Sequence, residues 1–213
     1  GRQANDFRRL EMVSPYGQSS TQLDATYEQL NAALGFKTSP VTGLWFNIYG
    51  GYQDLKNNLA SAAIANYSGS YLQLLQGNMH NIYAGAEASY SYKDIISFTA
   101  SGIYRDWKTA KTENNSGDQL LYYMPSFEAN FKVDIRPVSS VLINLGYQHI
   151  TREKIGNERV DPVGNLYLGG SYEVFEGISI YVRANNLLNK DYQYYPGYPT
   201  EGINFMGGVS FRF

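Results

Sequence analysis

Catalysis or metal chemistry in this chain would have to start from two histidines, His80 and His149, since there are no cysteines and the carboxylates are scattered. His80 lies beside Asn78 and Asn81 where a loop meets an alternating segment. His149 shares a face with Tyr147, with Gln148 and Arg152 near. A general base needs an acid or hydroxyl partner within hydrogen-bond reach. Neither histidine has one at short spacing, so no catalytic residue is assigned and the chain is not read as an enzyme. Asn114-Asn115-Ser116-Gly117-Asp118 has the composition of a calcium loop without its regular acidic spacing or closing Glu, and reads as a polar hairpin loop. No metal site and no cofactor are expected. A net charge of −2 with no basic tract gives nucleic acid nothing to bind.

What remains is aromatic chemistry. The chain carries 20 Tyr and is 15% aromatic, yet only 17% charged, against ~25% in ordinary soluble proteins. Most of these tyrosines sit in segments of period two, the strand period. In the last segment Ile203, Phe205, Gly207, Val209, Phe211 and Phe213 form one face, and Asn204, Met206, Gly208, Ser210 and Arg212 the other. The same alternation recurs from Leu30 to Lys37, Leu44 to Gln53, Asn81 to Tyr92, Ile96 to Arg105, Tyr122 to Ile135, Val141 to Gln148, Asn165 to Val174 and Ile178 to Asn185. Pro125 cannot donate to a ladder and should mark a rim or bulge. A tilted strand crosses a bilayer in about 9–11 residues, which fits these lengths.

The connections decide between two readings. An apolar face backed by a polar one also suits a soluble β-sandwich. Here, however, short connections at 38–43, 93–94, 136–140 and 175–177 alternate with long ones at 55–78, 108–119, 152–163 and 188–202. Within 55–78, the Ala-rich Leu59–Ala65 reads as a helical turn or two, and Tyr71–Leu75 as a short strand. Short periplasmic turns alternating with longer external loops mark outer-membrane barrels. The expected fold is therefore all-β, an antiparallel up-and-down transmembrane β-barrel of about nine to ten strands here, ending on the periplasmic side. A complete bacterial barrel has an even strand number, so either Phe7–Val13 adds a strand or this is part of a larger barrel. Residues 1–23 read as loop or partial strand, and 24–213 as barrel.

On that fold Phe36, Tyr52, Tyr90, Tyr92 and Tyr104 fall at strand ends as girdle residues should. Tyr49, Tyr83, Tyr122, Tyr167 and Tyr181 fall on the lumen face, where they could stack on a ligand or fill space. The lumen charges Glu87, Arg105, Glu128, Lys132, Glu173 and Arg183 are expected to pair with one another or with something inside the barrel. Tyr67, Tyr71, Tyr194, Tyr195 and Tyr198 in external loops are the better ligand candidates, because function concentrates on loops carried by a rigid scaffold.

The segment Val182-Arg183-Ala184-Asn185-Asn186-Leu187-Leu188-Asn189-Lys190-Asp191-Tyr192 resembles the penultimate-strand signature of TonB-dependent outer-membrane receptors. Its motif positions are Asn186, Leu187, Leu188, Asn189, Lys190 and Tyr192. As in that family, a Tyr/Pro/Gly loop follows, then a Gly-led strand ending in Phe. Ile203 departs from the Arg that many members carry. The resemblance implies a bacterial outer-membrane location, a barrel of about twenty-two strands and an N-terminal plug domain inside it. It also implies a short N-terminal segment that engages TonB, none of it visible here. The implied partners are outer-membrane lipid, TonB, the plug, and a small-molecule ligand such as a siderophore, cobalamin or glycan. Phe205, Val209, Phe211 and Phe213 would then form the assembly signal read by the insertion machinery. Two alternatives stay open: a small complete barrel acting as a pore or surface-binding protein, and a soluble β-sandwich binding module.

Overall fold

Alternating sequence becomes one continuous antiparallel ladder in the computed structural model, which describes residues 2–3, 24–66, 69–109, 121, 124–153, 161–195 and 198–212. Its elements are β1 (Arg2–Gln3), β2 (Thr26–Val41), β3 (Leu44–Asn66), β4 (Gly69–Tyr92), β5 (Ile96–Thr109), β6 (Pro125–Val138), β7 (Val141–Arg152), β8 (Val163–Phe175), β9 (Ile178–Asn185), β10 (Gln193–Tyr195), β11 (Tyr198–Pro199) and β12 (Asn204–Phe211). The main sheet runs β1-β2-β3-β4-β5-β6-β7-β8-β9-β12, each strand beside its sequence neighbour, while β10 and β11 form a separate two-stranded ribbon. Since β1 is only two residues long, nine full strands make the wall. Among the described residues no pairing joins β12 to β2.

One end of the sheet is closed by tight turns at Thr42-Gly43, Lys93–Ile95, Ser139-Ser140 and Glu176-Gly177. Lys93 and Asp94 both take positive φ, 47° and 54°. That is the primed turn whose twist matches the flanking strands. At Gly43 (φ 83°) the neighbouring strand approaches so closely that a Cβ would overlap the Ser91 carbonyl, and Ser91 N–H donates to the Gly43 carbonyl at 2.8 Å. Pro125 begins β6 at a register shift, where its missing N–H costs nothing.

The stretch 55–78 differs from the long, partly helical connection expected. β3 and β4 continue through it as a hairpin, paired from Asn58↔Gly77 to Asn66↔Gly69. An irregularity between Leu55 and Asn58 separates this extension from the wall, and Asn57 sits there at φ 55°. Its N–H donates to Asn78 Oδ1 at 3.1 Å, and its carbonyl accepts from Thr26 Oγ1 at 2.7 Å. Ladder pairing satisfies the backbone without a helix, and the bulge re-aims the hairpin. Phe7–Val13, Tyr122, residues 110–120 and residues 154–160 lie outside the described residues.

The decisive feature is which face is hidden. Leu34 is 84% exposed, Val182 66% and Phe205 78%, and Ile48, Ile82, Tyr104, Phe131, Leu145 and Leu168 on the strands between are exposed as well. On the polar faces Gly146 and Gly169 are buried, and Glu87, Arg105, Glu128 and Asn144 are half-buried. Buried hydrophobic residues among those described are Met79, Trp107, Ala129, Val163 and Tyr192. Soluble monomers do not expose a contiguous apolar band of this extent, and a sandwich would cover it with a second sheet. The wall is inside-out relative to a soluble protein, as a lipid-facing barrel must be.

Candidate functional site

The inward face is built from polar side chains that mostly answer one another. The Arg105 guanidinium on β5 donates to Glu128 on β6. Lys132 Nζ lies 2.8 Å from Asp134. Lys37 Nζ lies 4.7 Å from the Trp45 ring centroid. The Arg183 guanidinium is 4.1 Å from the Tyr167 centroid, with its Nε donating to Asn185 Oδ1 at 2.8 Å. Asn185 in turn donates to Asn204 Oδ1 on β12 at 3.1 Å. Of the six lumen charges singled out, Arg105 and Glu128 pair with each other; Glu173 accepts from Gly177 N–H at its own turn.

The inward tyrosines have a specific seat. Tyr83 opposes Gly51, Tyr49 opposes Gly85, Tyr167 opposes Gly146 and Tyr181 opposes Gly208 across adjacent strands. In each pair a Cβ on the glycine would collide with the phenol ring. The rings therefore lie flat along the wall over positions with no side chain, shielding backbone that glycine leaves bare. Space-filling is what these four do in the wall, while Tyr122 lies outside the described residues.

On β2 to β4, toward the long-connection end, polar side chains join into a ladder. Asn81 Nδ2 donates to Gln53 Oε1 at 2.9 Å, and Gln53 Nε2 to Glu28 Oε2 at 2.6 Å. Asn31 Nδ2 reaches the same oxygen at 3.4 Å, and Tyr83 O–H donates to Asn31 Oδ1 at 3.2 Å. Beside it Met79 and Trp107 form a small apolar cluster with Leu55, Leu121 and Met124, where Trp107 Nε1 donates to the Pro125 carbonyl at 3.0 Å. Glu153, just past β7, has its carboxyl pushed up, first by burial and then by the Asp106 charge.

The β9–β12 connection is fixed by Asn186, which is 1% exposed at φ 51°. Its Nδ2 donates to the carbonyls of Lys190 (2.9 Å) and Glu201 (3.1 Å), and its Oδ1 accepts from Lys190 N–H (3.1 Å). Its own N–H is taken by Asn165 Oδ1 at 2.9 Å. Leu187 N–H donates to the Leu166 carbonyl at 2.9 Å, while Leu188 is exposed. Asn189, also at positive φ, accepts from Ile203 N–H at 3.3 Å. Left-handed backbone is where asparagine outcompetes other side chains, so both asparagines match their geometry. Tyr192 is buried, its carbonyl holds Thr200, and burial pushes its phenol up to about 12.

The remaining sequence candidates divide. Tyr194 stands edge-on to Tyr192 and donates to Gln148 Oε1 at 2.8 Å, while Arg152 holds its carbonyl at 2.9 Å. Tyr195 pairs with Tyr198 in the ribbon, and Tyr71 pairs with Ile64 in the hairpin. Tyr67 and Phe213 lie outside the described residues. Phe205, Val209 and Phe211 share the outward face of β12, all exposed. Both histidines are ring partners of aromatics on the outward face: His80 beside Tyr52 (5.8 Å), and His149 between Tyr147 (6.3 Å) and Phe127 (6.2 Å). Among the described residues no three His, Asp or Glu side chains gather as metal ligands would. An open apolar groove lined by Ile143, Leu168, Gly170, Val182 and Phe205 also faces outward, into the apolar band.

This wall has solved counterparts. The copper transporter OprC matches with a TM-score of 0.68 at 17% identity, over 90% of this chain and 32% of its own. The FrpB iron transporter from Neisseria meningitidis gives 0.65 at 15%, over 90% and 31%. The ferric-catecholate import receptor Fiu from E. coli K12 gives 0.63 at 15%, over 94% and 30%. This chain thus spans about a third of the length of each. No protein-family model matches the sequence, and no curated protein matches it.

The class is an outer-membrane β-barrel, on the fold likeness and on the exposed apolar faces together. Within that class the wall shares its fold with the barrel walls of OprC, FrpB and Fiu.

Proposed function

We propose that this chain is the C-terminal barrel portion of a TonB-dependent outer-membrane receptor that imports a scarce nutrient, in the range of siderophore, cobalamin or glycan. The observation that carries the proposal is the combination of a lipid-facing apolar exterior with a dense polar interior. A wall so lined encloses something hydrated or proteinaceous. A plug domain of the same protein and a ligand entering from outside both fit it.

In this reading residues 24–213 supply wall, external connections and closing strand. The outward row Phe205, Val209, Phe211 and Phe213 acts as the assembly signal, and the aromatic external positions Tyr67, Tyr71, Tyr194, Tyr195 and Tyr198 meet the ligand. TonB acts through the N-terminal region of the parent protein, and the bilayer packs against the apolar band. Two transporters and an import receptor among the solved counterparts support transport as the proposed activity. The test is uptake by cells carrying the full-length receptor, with and without TonB. Loss of uptake while the receptor stays in the outer membrane supports the reading. Uptake indifferent to TonB favours a simple pore.

A further inference from the structure

We propose that Lys190, with Tyr147 and His149, forms a docking site for the phosphate of an outer-leaflet lipid headgroup on the outward face of the wall. The inference needs the lipid-facing barrel alone and holds whether or not the parent protein imports a nutrient. Tyr147 and His149 lie on the outward row of β7 with the exposed Leu145, their rings stacked at 6.3 Å and 22°. Gly164 on β8 is in register with His149. A Cβ added at Gly164 would lie 3.3 Å from Tyr147 Oη and 3.8 Å from Lys190 Cδ. The phenol tip and the lysine stem thus converge over backbone that carries no side chain, and Gly164 is buried beneath them.

Lys190 is held in place by the Asn186 corner. Its N–H donates to Asn186 Oδ1 at 3.1 Å, its carbonyl accepts from Asn186 Nδ2 at 2.9 Å, and Asn186 is 1% exposed. From this fixed point the side chain runs past Gly164 and Tyr147, while the residue as a whole stays exposed. A lysine that covers the wall with its stem and keeps its ammonium in the polar layer is snorkelling, as cations do at a membrane boundary. The corner uses the backbone of Lys190, which leaves the ammonium for this role.

The depth is that of headgroups. On β3 to β5 the outward face turns from apolar to charged just past Tyr52 and Tyr104, at the ion pairs Lys56–Asp54 and Lys108–Asp106. His80, beside Tyr52 and in register with Asp54 and Lys108, marks that boundary. His149 holds the corresponding place on β7, close to the strand's end at Arg152. An ammonium, a phenol and an imidazole together offer donors to one anion with several acceptor oxygens, as a phosphate has. This face belongs to the bilayer, so the phosphate that meets it is carried by a lipid rather than by a soluble ligand in the lumen.

The test is native mass spectrometry of the full-length parent protein in detergent micelles, titrated with diphosphoryl lipid A and with the same lipid after removal of its phosphates. Lys190→Gln should weaken retention of the phosphorylated lipid about fivefold, the worth of one lysine at an anionic surface, and Lys190→Arg should restore it. The dephosphorylated lipid should not tell wild type from Lys190→Gln. Tyr147→Phe keeps the ring and should also weaken retention of the phosphorylated lipid. It decides the matter if Lys190→Gln lacks the heat-modifiable mobility of a folded barrel. Equal retention of phosphorylated lipid by wild type and every folded variant overturns the proposal. So does an equal loss with dephosphorylated lipid, or with Lys37→Gln on the inward face, which would make the effect one of net charge. Displacement of the lipid by inorganic phosphate would show a site for the free anion and overturn it as well. Uptake indifferent to TonB would sink the import reading and leave the headgroup site standing.

Discussion

Tyr167 on β8 lies across Gly146 on β7, and Arg183 from β9 covers the same ring at 4.1 Å. Three consecutive strands are thereby joined on their inward face by one stack. A side chain at position 146 must push the phenol off the wall and take the guanidinium with it. Gly146→Val in the parent receptor, refolded into lipid vesicles, should lose about 1–3 kcal/mol in urea unfolding, the usual cost of overpacking. Combining it with Tyr167→Ala should remove most of that penalty, because the colliding ring is gone. Additive losses would mean that the ring moves aside freely.

The corner at Asn186 predicts a different signature. Asn186→Ala leaves Lys190 N–H and the Lys190 and Glu201 carbonyls without their partner and strains a φ of 51°. A loss of about 2–4 kcal/mol is expected from unpaired buried groups plus strain. Asn186→Gly relieves only the strain and should fall between wild type and Asn186→Ala in the same unfolding measurement. Equal stability of all three would leave the corner without a structural role.

Glu153 supplies a pH dependence. Its carboxyl is raised by burial and by the Asp106 charge, with Lys108 opposing. A raised native pKa means that the folded form holds the proton more tightly. The favourable contribution is therefore present at acid pH and lost as pH rises through the folded pKa. At neutral pH the ionised group is a liability, so Glu153→Gln should stabilise the parent by less than ~1 kcal/mol, given its partial exposure. That advantage should disappear as the pH is lowered through the Glu153 pKa. Unfolding midpoints of both proteins across pH 4–8 (roughly the carboxylate-to-neutral span) measure it, and a gap that widens at low pH contradicts the assignment.

These residues also mark how far the sequence could be read. Strand existence, face assignment and tight turns followed from period two and from Gly and Lys-Asp punctuation, because both are local. In the extended hairpin at 58–77 the strand at Tyr71–Leu75 is legible, whereas the Ala-rich Leu59–Ala65 reads as helical because it carries no polar alternation, and pairing between the two arms is what makes it strand. Tyr49, Tyr83, Tyr167 and Tyr181 were placed on the correct face, yet their glycine partners depend on register, which local pattern does not supply. The histidines were weighed as chemistry and turned out to be outward ring partners, since the aromatic neighbour of His80, and one of the two beside His149, come from another strand. Asn186 and Asn189 were legible as motif letters. Their positive φ values and their hydrogen bonds to Lys190, Glu201 and Ile203 explain why asparagine suits both places.

The inside-out wall itself is open to one direct measurement, in a parent from which any cysteine outside these 213 residues has been replaced. Single cysteines placed in turn from Phe127 to Ile135 along β6 of the vesicle-embedded receptor can carry a nitroxide label. Collision with oxygen, which concentrates in lipid, should then be high at Phe127, Phe131, Val133 and Ile135, and low at Glu128, Asn130, Lys132 and Asp134. Uniform accessibility, or the opposite phase, would contradict a barrel wall with this face toward the bilayer.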